Sequence, residues 1–136
     1  MIRSFATGGC DCGAVRYALL SAPIFTHCRH CSWMPSASGK GQKIARRPKC
    51  RVAAWSQYAT LATKLAFVRV GTLDDPSRCP PDVHIFTSTK QPWVLIPAGA
   101  ESYAEFYSAA DRVRMFGPER MARREAKIEE AKRESC

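Results

Sequence analysis

Four of the chain's seven cysteines fall within 22 residues, from Cys10 to Cys31, in the stretch GGCDCGAVRYALLSAPIFTHCRHC, where His27 and His30 flank Cys28. Cys10 and Cys12 form a C-x-C pair. Residues i and i+2 of an extended segment point the same way, so both sulfurs can reach one ion. Gly8, Gly9 and Gly13 let the backbone curl around it. Cys28 and Cys31 form a C-x-x-C pair, the spacing with which a turn presents two thiolates. By spacing alone the four cysteines make one tetrahedral zinc set, C-x-C-x15-C-x2-C. Disulfide pairing, and burial as small hydrophobes without any ligand, are the other readings of the same residues.

The remaining candidates are more scattered. Cys50, in RRPKCR, resembles the second half of a zinc knuckle, with Arg47 where the first cysteine would stand. Cys79 and Cys136 have no partner at ligand spacing. His27 and His30 can serve as ligands, as bases, or as hydrogen-bond donors behind a metal ligand. His84, in VHIF, alternates with apolar residues and reads as a strand histidine. No Ser/His/Asp order, P-loop, G-x-G-x-x-G or H-E-x-x-H is present, so phosphoryl transfer and dinucleotide chemistry have no support.

A chain of 136 residues, 46% hydrophobic, suits one domain with a modest core. No apolar run approaches the ~20 residues of a membrane span. The first residues, MIRSFATGGCDCG, lack an apolar secretory core, so a reducing cytoplasmic setting is expected, in which clustered cysteines bind metal or do chemistry. The net charge of +9 is uneven. Residues 1–70 hold eleven Lys/Arg and a single acid, Asp11, whereas residues 71–136 hold ten and eleven. Six basic residues (Lys40, Lys43, Arg46, Arg47, Lys49 and Arg51) crowd residues 40–51. Such a patch can meet nucleic acid or an anionic small molecule, or simply face solvent.

These side chains need a scaffold, and the pattern predicts a mainly β one. Strands are expected at 14–20, 50–59, 65–71, 82–89 and 92–98, with 65–71 the strongest. Residues 32–43 read as a loop. Pro118 opens a helix rich in helix formers, with a thin apolar face of Met121, Ala122, Ala126, Ile128 and Ala131. The expected division is a β-rich domain over 1–107 and a charged helical tail over 108–136.

The segments GGCDCGAVRY, HCRHC, SGKGQKIARRPKCRVAAWSQY, VGTLDDPS and HIFTSTKQPWV, in that order, resemble the glutathione-dependent formaldehyde-activating enzymes, the group that includes centromere protein V. The likeness covers roughly residues 8–97. It implies an Mss4-like, β-rich zinc-binding fold with a C-terminal helix. It further implies a carbon–sulfur lyase that joins formaldehyde, or another aldehyde, to glutathione or a related small thiol, giving S-hydroxymethylglutathione. Two Zn2+ sites follow from it. Cys10, Cys12 and Cys50 match ligands of a structural zinc, with Arg47 at the fourth position. His30 and Cys31 match the centre of the catalytic C-H-C-x-x-C, with Arg29 and Met34 at its outer cysteines and Cys28 one position early. Cys28 and Cys31 are then the catalytic thiolates, and zinc closer to one than two per chain is expected. The alternative to a lyase is a non-enzymatic basic zinc module that binds nucleic acid or chromatin through residues 40–51.

Overall fold

The computed structural model describes residues 3–31, 42–46, 53–58 and 64–134. It divides into two compact units, each discontinuous in sequence. One comprises residues 1–22, 36–79 and 124–136, the other residues 23–35 and 80–123.

The first unit is built on a hairpin. Strand β1 (Ala6–Gly9) pairs antiparallel with β2 (Arg16–Leu19), with Ala6 opposite Leu19 and Gly8 opposite Tyr17. Alternation along β2 exposes Arg16 and Ala18 and turns Tyr17 and Leu19 inward, as period-2 patterning requires. Ala6, Leu73 and Cys79 form the buried centre, with Phe5, Tyr17, Leu19 and Val70 packed around it. Cys79 therefore acts as a small apolar side chain. Glycine is obligatory at the tight end of this hairpin. A Cβ on Gly8 would stand 2.5 Å from both Thr72 O and Tyr17 Oη, and one on Gly9 would stand 2.2 Å from Val15 O. Outside the hairpin, Arg16 forks onto the Asp74 carboxylate, which also accepts the Thr7 hydroxyl. The same unit holds a second sheet of β3 (Gln42–Arg46), β4 (Ala53–Tyr58) and β5 (Phe67–Val68), all antiparallel.

The second unit is built on parallel pairing. Strand β6 (His27–Arg29) runs parallel to β7 (Val83–Ile85), with His27 opposite Val83, Cys28 opposite His84 and Arg29 opposite Ile85. The other edge of β7 is covered by residues 101–105. His84 N–H donates to Glu101 O, Tyr103 N–H donates to His84 O, and Phe86 N–H donates to Glu105 O. Val83 and Ile85 are completely buried and join Tyr107 and Phe116 in an aromatic core with Phe25, Phe86, Tyr103 and two methionines. His84, between two buried neighbours, faces the opposite side of the strand.

Helix α1 (Ala109–Glu134) closes the described chain. It starts with a reciprocal cap: the Ser108 hydroxyl accepts from Asp111 N–H, and the Asp111 carboxylate accepts from the Ser108 N–H and hydroxyl. Gly117, at φ 70° and ψ 173°, breaks it in a region only glycine tolerates well, and Pro118 opens the second helical stretch. Phe116 anchors the first stretch in the core of the second unit, and Ala131 is buried in the last turns. Lys64 reaches Glu130 and Glu134.

The strands expected around 14–20 and 50–59 and the C-terminal helix are present, but the fold is not mainly β as expected. Among the described residues, seven short strands carry about as many residues as α1 alone. Three expected strands are cut or absent. Of 65–71 only Phe67–Val68 pairs, before a 3-10 turn over Val70–Thr72. Of 82–89 only Val83–Ile85 pairs, because Phe86 adopts left-handed φ 58° and turns the chain into a 3-10 turn. Residues 92–98 form no strand. Pro92 and Pro97 remove ladder donors at both ends, and turns closed by Val94 N–H on Gln91 O and Ala100 N–H on Pro97 O replace it. Among described helices, none is long and apolar enough to cross a membrane.

Candidate metal centre

The register of β6 and β7 determines what meets on their shared face. Cys28 lies opposite His84, and His30, two residues beyond Cys28, points the same way. The Cys28 sulfur and one ring nitrogen from each of His30 and His84 lie within 4.8 Å of one another. His30 Nε2 is 3.0 Å from His84 Nδ1, and the rings are nearly parallel. All three residues are partly buried, shielded from bulk water but reachable from it.

The backbone holds this arrangement. His30 N–H donates to Ile85 O, and His30 O accepts from the Thr89 hydroxyl at 3.1 Å. His84 is hydrogen-bonded through both its N–H and its C=O to the 101–103 segment. Just beyond the strand, the left-handed Phe86 places its ring under the Arg29 guanidinium at 5.0 Å.

Electrostatics favour donors ready to bind a cation. Burial, then His84 and Lys90, push His30 below the usual histidine range, so its imidazole is neutral near pH 7. Burial pushes the Cys28 thiol upward, so it keeps its proton until a cation competes for the sulfur.

One thiol and two imidazoles are a borderline-soft set that suits zinc. Two nitrogens on one tetrahedral zinc stand roughly 3.3 Å apart, close to the His30–His84 separation found here. The cluster could therefore hold a metal ion, through a ligand set partly different from the expected one.

The predicted ligands are distributed as follows. Cys28 belongs to the cluster. Cys31 lies in the same unit, partly buried, one residue after His30. Cys10 and Cys12 belong to the first unit, their sulfurs 3.3 Å apart. Cys50, Met34 and Arg47 lie outside the described residues, as do Lys40, Lys49 and Arg51 of the basic run. Arg29 is exposed, its guanidinium over the Phe86 ring. His27 turns to Tyr107: its Nε2 is 2.5 Å from the Tyr107 hydroxyl, and the rings stack. Burial pushes its pKa down. It fills an aromatic core position.

His84 is the member that sequence reasoning read as merely structural. The signal was the V-H-I alternation, which turns the histidine away from the core its neighbours occupy. Its partner strand is invisible in the sequence, because the pairing spans more than fifty residues. No protein-family model, curated protein or solved structure matches this chain.

Proposed function

We propose that Cys28, His30 and His84 hold a zinc ion, and that the chain is a zinc protein of the formaldehyde-activating type acting on a small thiol and an aldehyde. The observation that carries the metal assignment is the convergence of the three donor atoms within 4.8 Å on one face of the parallel pair. The five ordered segments quoted above support the substrate class.

Three protein ligands leave one position of a tetrahedral ion open, the pattern of catalytic rather than structural zinc. Zinc bound there supplies Lewis-acid activation of a thiol, lowering its pKa so that it becomes nucleophilic near neutrality. The chain's own groups do the rest. The two imidazoles each offer a ring nitrogen. Cys28 gives up its proton to supply one negative charge. A reducing cytosol would keep Cys28 available as a thiol.

The test is a glutathione–formaldehyde exchange assay on zinc-loaded protein, with Cys28→Ser as the comparison. Exchange above the spontaneous rate that Cys28→Ser abolishes together with bound zinc is expected. Zinc binding without any acceleration would leave the metal assignment standing and contradict the lyase reading.

A further inference from the structure

We infer that Cys10 and Cys12 form a redox-active dithiol that closes to an intramolecular disulfide by exchange with small-molecule disulfides. The two sulfurs stand 3.3 Å apart, in contact but not bonded. An S–S bond is about 2.05 Å, so closure needs an approach of only about 1.3 Å. The backbone already holds the pair for it. Cys10 to Gly13 is a turn closed by Gly13 N–H on Cys10 O at 2.8 Å, and Cys10 N–H donates to Val15 O at 3.0 Å. Gly13, at φ 76°, completes the turn in open space.

The two cysteines differ in access, and that difference divides the labour. Cys12 is exposed at the tip of the turn, while Cys10 is buried at its base. The Cys12 thiolate attacks a disulfide RSSR, releasing one thiol RSH and leaving the mixed disulfide Cys12–S–SR. The Cys10 thiolate then attacks the Cys12 sulfur and releases the second RSH. Overall, one dithiol and one RSSR give one protein disulfide and two RSH, with the protein oxidised and the small disulfide reduced by two electrons. This site shares no residue with the Cys28/His30/His84 cluster, so each can fail without the other.

The experiment uses the full chain, as isolated and after treatment with a chelator. Both samples are incubated with glutathione disulfide, quenched in acid, alkylated and digested with trypsin. Residues 4–16 form one tryptic peptide that contains Cys10 and Cys12 and no other cysteine. This peptide is expected to lose two hydrogens, to take no alkyl group, and to recover both thiols with dithiothreitol, equally in both samples. In Cys10→Ser the glutathione is expected to remain on Cys12, for want of the resolving thiol. Two alkylated thiols in the unmodified chain, or glutathione retained on its Cys12, would overturn the inference. So would closure that requires the chelator, which would assign the pair to a metal ion instead.

Discussion

His30 Nε2 lies 3.0 Å from His84 Nδ1 across 54 residues of sequence, and the two rings stack at 19°. The pairing is a product of register. Cys28 faces His84 because β6 and β7 run parallel with those residues opposed, and His30 joins them because strand side chains repeat every two residues. A shift of one residue in either strand would send its side chains to the other face and dissolve the cluster.

Zinc should raise the thermal stability of the unmodified chain. At about 100 times its Kd, a ligand that binds only the folded state adds about 2.7 kcal/mol. The gain should shrink as pH falls, since protons compete for the Cys28 sulfur and the two imidazoles. Thermal melts with and without zinc at several pH values check both statements. A zinc-induced shift that does not weaken toward acid pH would place the ion on other donors.

Gly9→Ala should destabilise the hairpin. The added methyl would meet the Val15 carbonyl at 2.2 Å, a backbone atom that cannot move without breaking the register of β1 and β2. A loss of about 1–3 kcal/mol is expected, the usual cost of overpacking a tight site. Urea unfolding reads it as a lower midpoint at unchanged slope. An unchanged midpoint would show that the hairpin end is looser than described.

The Arg16–Asp74 pair should show in the acid limb of the stability curve. The Arg16 guanidinium, and then the Thr7 hydroxyl, hold the Asp74 carboxyl below the usual aspartate range. Its stabilising effect is therefore fully present above the unfolded aspartate pKa of about 3.9 and is lost as pH falls through the lower folded value. Asp74→Asn should lower stability at neutral pH and flatten this limb, with both effects small because the pair is exposed and reduced further by salt. Melting curves between acid and neutral pH decide it; parallel curves for the two proteins would remove Asp74 from the account.

What the sequence made legible was local. Arg16–Leu19 and Ala53–Tyr58 sit inside segments whose alternation and strand formers announced them, and the Gly117–Pro118 break was readable from the residues themselves. The first stretch of α1 falls inside the helical tail expected over 108–136, but the helix start was read only at Pro118, although Ser108 and Asp111 spell the earlier cap. Trp93 and Leu95 looked like strand residues and are instead strongly exposed, because the prolines around them forbid the ladder that would bury them. For the site, Cys28 and His30 stood out by spacing, whereas His84 needed a parallel partner from the far half of the chain. Local patterning carries no trace of that kind of pairing.

The central claim, a metal centre of Cys28, His30 and His84, is tested most directly by cobalt(II) substitution. Co2+ takes zinc sites and reports its ligands through visible absorption, which is intense in tetrahedral sites, and through sulfur-to-metal charge transfer in the near ultraviolet. The account predicts a tetrahedral spectrum with thiolate charge transfer at close to one Co2+ per chain. Cys28→Ser should remove the charge-transfer band, and His84→Ala should weaken binding by at least about tenfold, as losing one of three ligands implies. A full spectrum that survives His84→Ala unchanged would contradict it.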